Sequence, residues 1–270
     1  MPDTAHDAAR LLRSSEWHRG ATRWTQLTLA EDDPVKFDAD EWIDVFRQTG
    51  SNATCLSAGG YVAYYPTKVP YHYRSKWLGD TDPFGALVDG ARARSMHVMA
   101  RVDPHAIHND AAEAHPEWVA VDAAGNPRRH WAFPDVWVTC AYGDYNMEYM
   151  PEIVREIVRE YDIDAVFANR WQGHGVCYCE GCAKRFRDAS GHDLPPGSDP
   201  GDAAWRAWVA WRRDRLTKLV VDWDCAVQAI RPNASFIPNM GGASLMEFDL
   251  ETIEAHCPFL VVDHQGRHGL

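Results

Sequence analysis

Short apolar runs alternate with amphipathic helical patterns along this chain, and nearly every run stops at a polar residue. This alternation constrains the fold most strongly. Strands separated by helices must lie parallel, with the helices packed outside the sheet. The clearest unit spans Met150 to Ala168. Met150, Ile153, Val154, Ile157, Val158 and Tyr161 recur at helical spacing as one apolar stripe, with Pro151 in the first turn, where its missing N–H costs nothing. Ile163 to Ala168 then reads as a strand that delivers Asn169, Arg170 and Trp171.

The same reading extends in both directions. Arg23 to Leu29 is expected as a first strand, Asn52 to Leu56 as a second running into a Gly59-Gly60 turn, and His97 to Val102 as a third. Ser235 to Pro238 and Phe259 to Val262 follow the fourth as fifth and sixth. Helices are expected over Asp40 to Gln48, with Asp38 or Asp40 as N-cap, and over Phe84 to Arg94, opened by Asp82-Pro83. Two more cover Ala203 to Ile230 and Leu250 to His256, and the Pro- and Gly-rich stretch from Ser190 to Asp202 reads as a loop.

Two parallel architectures compete, an open doubly wound sheet and a (β/α)8 barrel. The residues after the first strand, Ala30-Glu31-Asp32-Asp33, are acidic where a nucleotide binder needs a Gly-rich phosphate turn. Polar residues at nearly every strand end suit a barrel whose site collects from several strands. The expectation is therefore an α/β chain with a (β/α)8 TIM-type barrel fold, forming a single domain over residues 1–270. Only six strands are legible where closure needs eight. The barrel is thus expected to be truncated after about six βα units, and its open sheet edges to favour association into oligomers.

Charge and composition narrow the function. The net charge of −12 argues against nucleic acid, which needs a basic face. No apolar stretch reaches the roughly 20 residues of a membrane span, and the first residues lack an apolar signal core. Seven cysteines, three of them crowded together, fit a reducing compartment, so a cytoplasmic location is expected.

The crowded thiols form Cys177-x-Cys179-x-x-Cys182, a spacing at which thiolates can converge on one tetrahedral zinc. Cys140, after the loop region beyond the third strand, is the best candidate for the fourth ligand. Unliganded thiols and a Cys179–Cys182 redox pair are the alternatives. Four Cys ligands would close the site and make it structural. Cys55, Cys225 and Cys257 sit in apolar contexts and read as core thiols.

Asp103 and Asp263 each follow a strand directly, where barrel active sites lie, and are the candidate catalytic carboxylates. Glycoside cleavage needs two carboxyl groups about 5 to 10 Å apart. The bland readings are a turn cap for Asp103 and an ion pair with Arg170 or Arg267 for Asp263. His105, Asn169, Arg170, Trp171, His174 and Arg267 are the candidate substrate contacts, with Trp171 offering a flat apolar face to a sugar ring.

The run His115-Pro116-Glu117-Trp118-Val119-Ala120-Val121-Asp122-Ala123-Ala124-Gly125-Asn126, then Cys140, then the clustered cysteines, resembles the catalytic barrel of glycoside hydrolase family 42 β-galactosidases. It is closer still to the hypothetical glycosyl hydrolase 6 group. The resemblance covers about Trp24 to Leu270. It implies a barrel that hydrolyses O-glycosidic bonds, with a galactoside- or fucoside-type substrate, and zinc on Cys140, Cys177, Cys179 and Cys182. Family 42 places an acid/base Glu directly after an Asn at the end of strand four. Here that residue is Arg170, and the family's nucleophile strand would lie beyond Leu270. A catalytically inactive sugar-binding barrel with a structural zinc loop is therefore the second reading.

Overall fold

The computed structural model describes residues 17–173, 175–240 and 248–262. Five parallel strands form its main sheet: β1 (Trp24–Leu27), β2 (Ala53–Gly60), β3 (His97–Asp103), β6 (Ala165–Ala168) and β7 (Ser235–Pro238), in the order β1-β2-β3-β6-β7. A short antiparallel pair, β4 (Ala106–His108) with β5 (Val136–Val138), sits in the long connection after β3. Helices α1 (Ala39–Gln48), α2 (Pro83–Arg92), α4 (Met150–Glu160) and α6 (Ala203–Gln228) link the main strands. The shorter α3 (Asn109–Ala114), α5 (Glu180–Ser190) and α7 (Leu250–His256) lie between or after them.

The strands are apolar almost throughout because both faces are covered. Leu56, Ala58, Val98, Ala100, Val102, Val166 and Phe236 point outward into one core with Ile43, Phe46, Leu87, Ile153, Ile157 and Val220 of the helices. Ala53, Cys55, Met99, Ala165, Phe167 and Ile237 alternate with them and form the inner-face core, closed at one end by Trp17 and Phe259. Side chains alternate along a strand, so this inner face continues upward into Arg101, Asp103, Asn169 and Asn239. The barrel's inside is thus oily below and polar at the carboxyl ends.

Most expected elements stand where the periodicity puts them. Asp38 is the N-cap of α1, accepting from the N–H groups of Asp40 and Glu41, and Asp82 caps α2 through the N–H of Gly85. Three differences have clear causes. The Gly59-Gly60 pair is no turn: β2 runs through both, with a bulge between Ser57 and Gly59 that sets Gly60 opposite Asp103. The sixth strand is reduced to a single parallel bridge, Asn239 with Val261. Helix α5 was hidden because its sequence is largely polar; its buried residues are Cys182 and Phe186, and Cys179 is its N-cap.

A hydrogen-bond chain ties the end of β2 to α4. The Gly60 N–H donates to Nε2 of His72 (3.2 Å), Nδ1 of His72 pairs with Thr67 Oγ1 (3.0 Å), and Thr67 donates to Glu156 (2.6 Å). Glu156 also accepts from the Tyr65 hydroxyl and the Lys68 N–H. Accepting from Gly60 requires a neutral His72 with its proton on Nδ1. Burial pushes the His72 pKa from 6.5 down to about 3. The unfolded chain therefore binds one more proton than the folded one between those values, so stability falls as the pH drops below 6.5. Between pH 6.5 and 4.5 this amounts to about 2 kcal/mol. Urea midpoints measured at pH 7 and 4.5 should show that His72→Gln lowers stability at pH 7 but flattens the acid slope by about one proton. An unchanged slope would remove His72 from the acid response.

Candidate functional site

The polar layer at the strand ends is one connected network. Arg101 holds Asp103 bidentately, Nε to Oδ2 at 2.9 Å and Nη2 to Oδ1 at 3.0 Å, and its Nη1 donates to Thr28 Oγ1. Asn169 donates to the same Asp103 Oδ1 at 2.6 Å, and Asn239 donates to Asn169 Oδ1 at 2.9 Å. The network thereby crosses from β3 to the ends of β6 and β7. Burial alone would lower the Arg101 pKa, but the hydrogen bonds and charge of Asp103 outweigh it and raise it. Both oxygens of Asp103 accept from cationic or amide donors.

A cavity of about 200 Å³ stands over this layer, with Arg101, Asp103, Asn169, Arg170, His105 and Trp131 among its lining residues. Its wall is aromatic. His105 stacks on Trp131 with ring centroids 5.4 Å apart, His130 on Trp131 at 3.9 Å, and Tyr61 packs against His105 at 5.2 Å. Arg170 has a left-handed backbone (φ 53°), which costs a non-glycine residue about 1 kcal/mol or more. That turn brings its guanidinium to 4.9 Å from the Trp131 ring centroid. Charged donors, amide groups and a flat ring thus converge on one small space, the mixture that binds a polyhydroxylated ring.

Four of the sequence-predicted contacts line this cavity: Asp103, His105, Asn169 and Arg170. Trp171 does not. It is 1% exposed, stacks on Phe248 at 5.5 Å and donates its indole N–H to the Asn239 carbonyl, so it supports the strand end from behind. Trp131, 56% exposed, supplies the flat face instead. It arrives on the long connection after β3, which no strand-end rule singles out. His174, Asp263 and Arg267 lie outside the described residues. Arg101 went unnoticed although the signal was present. It stands two residues before Asp103 in an otherwise apolar strand, a spacing that puts both side chains on one face.

Cys140, Cys177, Cys179 and Cys182 gather with all four sulfurs within 4.8 Å of one another. Cys140 Sγ lies 3.3 Å from Cys182 Sγ and 3.7 Å from Cys179 Sγ. Four thiolates about 2.3 Å from one tetrahedral ion would stand roughly 3.8 Å apart, so the donor set fits a metal ion. Backbone donors support the sulfurs: Val121 N–H reaches Cys177 Sγ and Cys182 N–H reaches Cys179 Sγ, both at 3.4 Å. The Cys177 thiol is pulled far below its ordinary range, first by Cys140, while Cys140 and Cys182 are pushed up by their hydrogen bonds to neighbouring thiols. The cluster joins the segment after β6 to the one after β3, where Tyr178 N–H also bonds the Val121 carbonyl. Of the three expected core thiols, Cys55 and Cys257 are buried, and burial raises the Cys55 pKa to about 12. Cys225 is exposed instead, on the side of α6 turned away from buried Trp223 and Val227.

A parallel strand–helix array with its polar layer at the carboxyl ends defines a (β/α)8-type barrel, represented here by part of its strands. Residues 38–170 match the family described as Hypothetical glycosyl hydrolase 6. Among solved structures it is similar to α-L-fucosidase isoenzyme 2 from Paenibacillus thiaminolyticus, with 23% identity and a TM-score of 0.64 over 80% of this chain and 32% of that one. It is also similar to a β-galactosidase from Bacillus circulans sp. alkalophilus, at 14% identity and a TM-score of 0.64 over 92% and 40%. A β-galactosidase from the Antarctic haloarchaeon Halorubrum lacusprofundi gives 14% identity and a TM-score of 0.61 over 91% and 41%. At these identities the likeness establishes the fold, and the chain spans between 32% and 41% of the length of these three structures. No curated protein matches the chain. No helix among the described residues is long and apolar enough to cross a membrane.

Proposed function

We propose that this barrel belongs to a glycoside hydrolase that cleaves O-glycosidic bonds of galactoside- or fucoside-type substrates, and that the cavity over Arg101, Asp103 and Asn169 seats the sugar whose bond is cut. The observation that carries this reading is the convergence of that polar network with the Trp131 face on a space sized for one ring. Arg101 holds the Asp103 carboxyl in place through two hydrogen bonds, which suits a positioned base, nucleophile or anchor for sugar hydroxyls. Asp263 is the proposed partner carboxylate, with His174 and Arg267 as further contacts. The four cysteines would hold zinc, which supplies structure alone because four protein ligands leave no open position. A reducing, cytoplasmic location would suit a cluster of thiolate ligands.

A second reading has its own support. Both Asp103 oxygens are engaged within the protein, and Arg170 follows Asn169. A barrel of that kind would bind sugar without cutting it. Aryl β-galactosides and aryl α-L-fucosides separate the two. Turnover by the wild type that falls about 100-fold or more in Asp103→Asn or Asp263→Asn supports the hydrolase. Sugar binding without turnover in the wild type establishes the silent barrel, and wild-type turnover in both variants removes these carboxylates from the chemistry.

A further inference from the structure

A second, larger cavity of about 690 Å³ adjoins the sugar pocket across Tyr61 and Phe133, which line both. The reading above makes no use of it. Its volume falls within the roughly 300–1,000 Å³ of small-molecule sites, whereas the pocket beside it has space for a single small ring.

Its wall is aromatic and already in place. The Tyr73 and His108 rings stack with centroids 3.4 Å apart and planes 14° from parallel. The Tyr73 hydroxyl donates to Glu31 Oε1 at 2.8 Å, and the Ser75 hydroxyl fixes the Glu31 backbone by donating to its carbonyl at 2.7 Å. At the junction Tyr61 and Phe133 stack at 6.3 Å, 28° from parallel. Rings held by their own hydrogen bonds and stacking lose little freedom when a ligand arrives. The lining is acidic: among the described residues it includes Glu31, Asp32, Asp110 and Asp135 against one cation, Lys76.

We propose that this cavity is the leaving-group subsite of the same centre, and that it takes a neutral ring, a second sugar or an aryl group, joined to the sugar in the small pocket. The proposal rests on the small pocket being the sugar site. An aromatic wall receives the C–H face of a sugar or the face of an aryl ring. The Glu31 carboxylate and the Tyr73 oxygen offer acceptors to hydroxyls at its edge. The surplus of carboxylates repels an anionic leaving group such as a uronate or a carboxyaryl ring. The preferred substrates are therefore neutral disaccharides or aryl glycosides.

Calorimetric titration of the intact chain with three glycosides each of galactose and fucose tests this. The methyl glycoside fills only the small pocket, the 4-nitrophenyl glycoside adds a neutral ring, and the 4-carboxyphenyl glycoside adds an anionic one. The nitrophenyl compound is expected to bind about tenfold more tightly than the methyl one, and the carboxyphenyl compound to lose that gain. In Tyr73→Ala the methyl and nitrophenyl glycosides should bind alike. The carboxyphenyl comparison needs no variant, so the test survives any folding defect in Tyr73→Ala. Equal binding of all three by the wild type, or a gain that survives Tyr73→Ala, overturns the subsite. Nitrophenyl binding that depends on Tyr73 but not on Arg101, with no methyl glycoside bound, keeps the larger cavity as a ring site and removes the sugar reading of the smaller. Absence of binding by every compound removes both.

Discussion

Protein purified without added zinc is expected to contain close to one equivalent of zinc per chain, and a Cys179→Ser/Cys182→Ser variant to contain almost none. The sulfurs of Cys140, Cys177, Cys179 and Cys182 lie within 4.8 Å of one another, near the roughly 3.8 Å separations of ligands on a single tetrahedral ion. Without an ion, four thiols packed together in a largely buried site must share protons among groups that repel one another once ionised. Structural zinc contributes about 10–16 kcal/mol to the folding of small zinc peptides, so even a fraction of that would dominate the stability of this region. Because the cluster joins the segments after β3 and β6, its loss should loosen both. A drop in Tm of about 10 °C or more is expected for the double variant, together with weaker sugar binding, since Trp131 and Arg170 stand on those segments. Metal content near zero in the wild type, or unchanged in the variant, would overturn the assignment.

Gly60→Ala is expected to be among the most damaging single substitutions in the chain. Gly60 ends β2 with φ +110°, and a Cβ there would stand 2.4–2.5 Å from the N, C and O atoms of Asp103. Those atoms belong to the backbone, so no side-chain movement can relieve the overlap. The strand ends must separate, or Gly60 must change conformation and give up its hydrogen bond to His72. Left-handed strain and overpacking together should cost about 3 kcal/mol or more. The same displacement moves Asp103 off Arg101 and Asn169, so sugar affinity should fall further than global stability does. Denaturant unfolding and calorimetric titration of the same preparation check both. A variant with wild-type stability and sugar affinity would show that the β2–β3 contact at Gly60 is looser than described.

Much of the candidate site's placement at the strand ends is legible in the sequence. Asp103, Asn169 and Arg170 were marked by their place after apolar runs, and that rule works because a parallel strand between two covered faces must stay apolar until it leaves the sheet. The thiol spacing likewise pointed to a local cluster, and Cys140 to its fourth member. The rule fails where a residue's environment is set by what lands on it. Trp171 follows a strand as expected, yet its ring turns into the core beside Phe248.

From the sequence alone came what depends on near neighbours: the strand–helix alternation, the faces of each strand, the helix caps and the crowding of three cysteines. Periodicity and capping act over a few residues, so the order of residues is enough to read them. Only the tertiary structure decided which distant pieces meet. It paired Arg101 with both oxygens of Asp103, set the Trp131 ring rather than Trp171 against Arg170, and placed the Tyr73–His108 stack beside the pocket. Those contacts are set by how the connections after β2 and β3 fold over the strand ends. That packing is a long-range balance of burial and hydrogen bonding, and no local pattern in the sequence encodes it.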